Sequence, residues 1–567
     1  MVGYDDFRVH LDNRPVQSVK IAKGRGAIAT VSQQASELGI KVLKDGGNAF
    51  DAAFAVAFAL TIYHPQAGNI GGGGYVIYKE KGAKTPSCIN YREKSPAAVK
   101  REGFLDEKGN VDPELTALGP KSVCIPGTVK AFFTLQKAHG ALTARDILTH
   151  LARLSHEGCR ITRYQAECIN RLNEKLCRSP ESKKIYGQKG RAFSAGDLLP
   201  NPDLGETFLM LAREGERAFY EGKIAEGIED DLSRNGGYIT TRDLKNYSIK
   251  MVEPVSAFID GTSVWSVPPE GGGAFLIEIL NILNREQFHK IDPLSPDFYH
   301  YLAQAFKMAS VDRLFYLGDV PLEGNRVYHS LFKREWADTL FSLIDRESDI
   351  KTEKILSLMH PEEGDVIESG EQRQGSETTH FSIIDGEGNA LSNSYTLNLR
   401  YGAKWSVKDM GFLLNGSMDA FSFSPGRPNY FGVIGNRPNL LAPNKRPASN
   451  MAPVLVTKGK EVVAALGTPG GPAIPTSLAQ ALFLILSHKM EPQAALQLGR
   501  IHHQGWPDVF YKEEGSLLEN TILLLVKKGY TIQNRSEPIG DFHAVFTSGS
   551  EILAVSDYRR EGSPSAL

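Results

Sequence analysis

TTHFSIIDGEGNALSNSYTLN, residues 378–398, is the stretch on which the class of fold turns. Residues 378–384 and 390–398 read as strands, with side chains alternating between two faces. Between them, Asp385-Gly386-Glu387-Gly388-Asn389 has the Gly and Asn content of a hairpin loop. Centring the hairpin on Glu387 sets Thr378 opposite Thr396, with Cβ atoms about 5 Å apart. Asn398 falls on the same face as Thr396, one step beyond the end of the first strand. The spacing therefore gathers Thr378, Thr396 and Asn398 into a polar cluster at the mouth of a sheet. Taken alone, the cluster reads more readily as a threonine-rich solvent face on an edge hairpin.

Downstream, residues 453–457 and 461–467 form a second hairpin around Lys458-Gly459-Lys460. Its second strand runs into Thr468-Pro469-Gly470-Gly471, and a helix begins near Pro472. Two glycines at a helix N-terminus expose backbone N–H groups at the positive end of the helix dipole, which suits an oxyanion hole. They serve a plain strand-to-helix turn equally well. Upstream, residues 361–377 (PEEGDVIESGEQRQGSE) contain almost nothing to bury and read as a flexible, exposed linker. Residues 112–345 read as mostly helical, with breaks at Pro126-Gly127 and Pro268–Gly273. Asn48 caps a helix over Ala49–Ile62 that is apolar on most faces and therefore central. After it, Gly71–Gly74 requires either unusual backbone angles in a tight turn or close approach by another segment. The run is not a G-x-G-x-x-G fingerprint, so no dinucleotide is expected.

Composition sets the outer limits. The 567 residues are 41% apolar and 23% charged, which excludes collagen-like, coiled-coil and wholly disordered chains. Lys+Arg 64 against Asp+Glu 66 leaves no basic excess, so nucleic acid is not expected as a partner. The five cysteines form no C-x-x-C pair and read as free thiols of a reducing compartment. Met1–Lys20 is polar, without the pattern of a secretory leader. The longest apolar run, Ala52–Tyr63, is too short to span a bilayer. A cytoplasmic protein is expected, or a periplasmic or secreted one if a leader has been removed. His502-His503 lacks a third ligand, so no metal is expected, and no cofactor. No G-x-S-x-G elbow is present to support a serine triad.

The segments TTHFSIID (378–385), SYTLN (394–398), NGSMDAFS (415–422), NKRPASNMAP (444–453) and GTPGGP (467–472) resemble the small subunit of a γ-glutamyltransferase. GGNAFDAAFAVAFAL (46–60), GNIGGGGY (68–75), YREKSPAA (91–98), IPGTVKAF (125–132), FYEGKIAE (219–226), DLKNY (243–247) and DRLFYLGD (312–319) agree, in the family's order, over about residues 25–560. The resemblance implies an N-terminal nucleophile hydrolase of mixed α/β (α+β) class, a four-layer αββα sandwich. A large subunit, 1–377, and a small catalytic subunit, 378–567, would build one structural domain jointly. It implies self-cleavage between Glu377 and Thr378, with the 361–377 tail exposed and free to move away. Thr378 would then be the nucleophile, with its own α-amine, of ordinary pKa near about 8, as the base. Thr396 would orient it, and Gly470 and Gly471 would form the oxyanion hole. Arg92 and Ser449 would bind the substrate carboxylate, Asn398 its α-amine. The proline-rich stretch Phe421–Asn450 resembles the family's lid, with Tyr430 and Phe431 as the covering aromatics.

The pattern departs from the family at the ammonium end of the pocket. Ser417 and Ala420 stand where family members carry a Gln or Glu and a second Asp, and Asp419 matches the first, non-contacting Asp. The family's serine pair becomes Ser449-Asn450. The substrate-binding set is thus Arg92, Asn398, Ser417, Ser449 and Asn450, with the carboxylate anchor kept and the ammonium anchor weakened. The expected activity is cleavage of γ-glutamyl, glutathione-type amides through a Thr378 acyl-enzyme, with water or an amino acid or peptide as acceptor. The alternative is a glutaryl or cephalosporin-type acylase with relaxed amine recognition. A processing-dead binding protein is the third reading, opposed by the intact Thr378, Thr396 and Gly470-Gly471.

Overall fold

The computed structural model describes residues 20–108, 110–188, 190–320, 330–361, 376–429 and 433–567. The strands Ser376–Ile384 and Ala390–Leu399 pair antiparallel, with Thr378 opposite Thr396 and Ile384 opposite Ala390, the register that centring on Glu387 requires. The register shifts between Ser376 and Thr378, where Glu377 alone faces Leu397 and Asn398, a bulge in the partner strand. Side-chain alternation lets this hairpin serve two layers. Phe381, Ile383, Leu391 and Tyr395 pack into a helical layer, while Ile384 and Ala390 pack against a second sheet.

Two seven-stranded sheets form the centre. In the first, the order is Ser563–Ala566, Ala27–Thr30, Ser376–Ile384, Ala390–Leu399, Gly73–Lys79, Ser87–Asn90, Lys250–Val252. In the second, it is Lys20–Gly24, Glu551–Ser556, His543–Ser548, Glu461–Gly467, Val454–Lys458, Thr262–Ser266, Val255–Ile259. The layer between them is rich in small residues, including Ala27, Ala29, Ala465 and Ala554. Hydrogen bonds join the sheets where hydroxyls replace methyls: Ser392 Oγ donates to Leu466 O and Ser382 Oγ to His543 O, each at 3.0 Å. His380 lies between Ser394 and Ser382, at 2.8 and 2.9 Å.

Helices cover both outer faces. Ala49–Tyr63 packs on the first sheet and is buried along nearly its whole length; Asn48 caps it by accepting from the N–H groups of Phe50 and Asp51. Gly273–Leu283, Pro296–Tyr316 and Ala473–Leu482 share a core with the second sheet. The result is the four-layer αββα order. The mostly helical stretch 112–345 also supplies Lys250–Val252, Val255–Ile259 and Thr262–Ser266. Two of these are edge strands, three to five residues long and only partly buried, so their sequences carry little alternation.

The glycine run is explained by close approach. None of Gly71–Gly74 has a positive φ. A Cβ on Gly72 would lie 2.3 Å from Thr396 O, and one on Gly74 2.2 Å from Ser394 O. The missing side chains let the strand Gly73–Lys79 lie hard against the strand that carries Thr396.

Candidate active site

Thr378 stands at the open end of its strand, 6% exposed. Its Oγ1 donates to Thr396 Oγ1 at 3.4 Å, and Thr396 Oγ1 donates to the carbonyl oxygen of Glu377 at 2.5 Å. The backbone N–H of Asn398 donates to the same Thr396 hydroxyl at 2.8 Å. That hydroxyl thus accepts twice and donates once, its full capacity, which fixes its direction. The carbonyl it polarises belongs to the peptide bond ahead of Thr378. Asn398 holds a left-handed φ of 74°, which asparagine tolerates, and its Nδ2 donates to Gly416 O at 2.9 Å.

The turn after Glu461–Gly467 carries Gly470 and Gly471 and brings Gly471 into one cavity with this pair. Their φ values of 140° and 57° are ones that L side chains rarely adopt. The N–H groups of Ala473 and Ile474 bond back to the two glycine carbonyls, at 3.2 and 3.1 Å. Neither glycine N–H donates to a protein acceptor among the described residues. Gly471 and Thr378 line one open cavity, together with Thr396, Asn398, Ser449 and Asn450. Gly470 packs instead against Gly540.

Arg92 also lines this cavity, although it is only 1% exposed. Its guanidinium pairs with Glu93 at 2.7 Å, both side chains being buried. The ion pair and the cavity position are therefore both real for Arg92. Ser417 departs from expectation: its hydroxyl donates to Glu93 Oε1 at 2.8 Å, and it does not line the cavity. The short helical turn Ser417–Ala420 directs Ser417 behind the wall and Ala420 onto it. Ser417 thus orients Glu93 and, through it, Arg92. Tyr430 and Phe431 lie outside the described residues; Phe421, Asn429 and Val433 of the same loop border the cavity.

Two features escaped the reading of the sequence. The first is Arg313, on the helix Pro296–Tyr316, which lines the same cavity. Its Nε donates to Asn450 Oδ1 at 3.2 Å, it forms no ion pair among the described residues, and burial pulls its pKa down to about 10. No Asp or Glu lines the cavity among the described residues. A lone arginine within a mainly buried helix was the available signal. The second is the setting of Glu377. The linker was expected to be exposed up to the cut, yet Glu377 is 0% exposed and lies in the strand. Arg400 Nε reaches its Oε2 at 2.5 Å, Tyr164 OH reaches the same oxygen at 3.1 Å, and Arg560 bonds Oε1. Desolvation pushes this carboxyl up, but Arg560 and Arg400 outweigh it and hold the pKa below the ordinary value. Most of the linker, 362–375, lies outside the described residues. The His502 ring meets Thr476 and Gln504, and the His503 ring meets Asp508 and the N–H of Gly505.

A family model described as gamma-glutamyltranspeptidase matches residues 35–567. The glutathione hydrolase proenzyme of Escherichia coli (strain K12) is 34% identical over 538 residues, 94% of this chain and 90% of that protein. That of Bacillus subtilis (strain 168) is 31% identical over 551 residues, 95% of this chain and 90% of that one. Among solved structures, cephalosporin acylase from Bacillus halodurans superposes with a TM-score of 0.83 at 25% identity, covering 99% of this chain and 98% of that one. A Helicobacter pylori gamma-glutamyltranspeptidase chain matches with a TM-score of 0.56 at 31% identity, covering 62% of this chain and 99% of that one.

Proposed function

This chain belongs to the gamma-glutamyltranspeptidase family, and from that premise we propose that Thr378 is the nucleophile of a self-processed enzyme cleaving γ-glutamyl amides, with Thr396, Gly470 and Gly471 as its partners. The observation that carries the assignment is the hydroxyl chain from Thr378 through Thr396 to the Glu377 carbonyl. In the precursor, Thr378 Oγ1 attacks that carbonyl. The C–N bond breaks, which frees the Thr378 α-amine, and hydrolysis of the resulting ester releases the Glu377 carboxylate and the Thr378 hydroxyl, toward which the amine then serves as base. The same hydroxyl next attacks the amide carbonyl of the donor, and the N–H groups of Gly470 and Gly471 receive the oxyanion. Deacylation by water gives hydrolysis; deacylation by an amino acid or peptide gives transfer. Subunits 1–377 and 378–567 would remain together, because both sheets draw strands from each. The five free thiols support a cytoplasmic location.

A denaturing gel tests the assignment. Wild type should give two bands of about 41 and 21 kDa, from about 110 Da per residue. Thr378→Ala should give one band and no amidase activity. A single unbroken polypeptide in active wild-type material overturns it.

A second reading is favoured by the cavity wall. Two guanidinium groups, Arg92 and Arg313, face the site, and no carboxylate does among the described residues. An acyl group with a carboxylate and no amine, of the glutaryl type, meets complementary charge there. A γ-glutamyl ammonium would meet the neutral Asn398. The likeness to a cephalosporin acylase supports this reading.

A further inference from the structure

We infer that Arg400 and Arg560 form a charge clamp on Glu377 that positions the Glu377–Thr378 peptide for self-cleavage. The inference rests on the cut proposed above and adds the device that aims it. A fully buried carboxylate is costly unless paired, and this one is held on both oxygens. Its partners converge from three separate places: Arg400 just past the strand Ala390–Leu399, Arg560 beyond the strand Glu551–Ser556, and Tyr164 on the helix Arg163–Leu176. Both guanidinium groups also lie over the Tyr164 ring, at 5.6 and 5.7 Å from its centre. Glu537 meets the remaining face of Arg400 at 3.1 Å.

The bulge makes the clamp necessary. At a bulge the regular ladder is interrupted, so strand pairing alone does not fix the orientation of the peptide. Glu377 is instead fixed at two points, its side chain by the clamp and its carbonyl by Thr396. That presents the carbonyl carbon to Thr378 Oγ1. Attack forms the C–O bond and breaks the C–N bond, and the hydroxyl proton passes to the departing nitrogen, which becomes the Thr378 amine. Water then hydrolyses the ester to the Glu377 carboxylate and the Thr378 hydroxyl. Arg400 and Arg560 touch neither reacting atom; they are positioning residues acting through Glu377.

The test uses the full chain. Maturation is followed by gel after a pulse of synthesis in wild type, Glu377→Gln, Arg400→Met and the Glu377→Gln/Arg400→Met double variant. Glu377→Gln keeps the size of the side chain and removes its charge. It should lengthen the maturation half-time by at least about tenfold, since small misplacements of reacting groups cost that much or more. The double variant should be little slower than the slower single one, because both act through one contact. Glu377→Asp should restore part of the rate. If Glu377→Gln folds poorly, as judged by its melting temperature in a Thr378→Ala background, Arg400→Lys takes its place, with slowed maturation again expected. Wild-type maturation in the charge-removing variants, or slowing that multiplies in the double variant, overturns the clamp. Mass spectrometry of the wild-type small fragment separates the two levels. A start other than Thr378 refutes the cleavage reading itself, whereas a start at Thr378 with undisturbed variants refutes only the clamp.

Discussion

At the scale of single residues, the pocket is decided by which charges reach it. Arg92 is held by Glu93, and Glu93 by Ser417, so one substitution that sequence comparison places at the substrate instead tunes an arginine. Arg313 has no such counter-charge among the described residues and lines the same wall. A glutaryl anilide should therefore be turned over at least as fast as the matching γ-glutamyl anilide. Arg313→Met should raise KM for the glutaryl substrate by about tenfold or more, the worth of one charge-assisted hydrogen bond, with kcat changed less. Steady-state kinetics on processed protein check both. A γ-glutamyl anilide cleaved far faster than its glutaryl counterpart sinks the relaxed-pocket reading. Thr378, Thr396 and Asn398 were legible as a cluster because strand pairing is a matter of counting. Ser417 and Arg313 were not, because the direction of a side chain at a turn or on a helix depends on what packs around it.

At the scale of elements, the two sheets approach closely because the residues between them are small, and His380 has its ring buried between Ser394 and Ser382. Its ring lies where a Cβ on Gly467 would come within 2.3 Å of it. Gly467→Ala therefore overpacks the gap beside Thr378 and should destabilise the fold by about 1–3 kcal/mol. Urea unfolding in a Thr378→Ala background measures this; an unchanged midpoint means that the ring moves aside freely. The hairpins and the Asn48-capped helix follow from local pattern, and the structure places them within a residue or two of expectation. The edge strands Lys250–Val252 and Val255–Ile259 do not, since a short strand with one partner buries too little to impose a pattern.

At the scale of the whole molecule, burial of histidines ties stability to pH. Burial lowers the pKa of His64 to about 3 and pushes those of His380 and His502 well below the ordinary value. The unfolded chain takes up protons on these rings as pH falls through about 6.5. The folded chain does not, so the unfolded state binds more protons and stability rises with pH across this window. The contribution is fully present above about pH 6.5 and is lost progressively below it, for His64 down to about pH 3. The melting temperature of the Thr378→Ala precursor should accordingly fall between pH 7 and pH 5, and a flat profile would show that these rings take protons in the folded state.

Alternation, capping and turn chemistry are properties of neighbouring residues. They alone were enough to pair Thr378 with Thr396, to start the buried helix at Ala49 and to put Gly470 and Gly471 at a helix entrance. The four-layer order required the resemblance as well. What tertiary packing decided was which groups, hundreds of residues apart, share a charge. Arg560 and Tyr164 close on Glu377, Ser417 turns to Glu93, and Arg313 reaches the cavity of Thr378. Electrostatic partnership depends on distance in space and on the exclusion of water, and neither is a function of spacing along the chain.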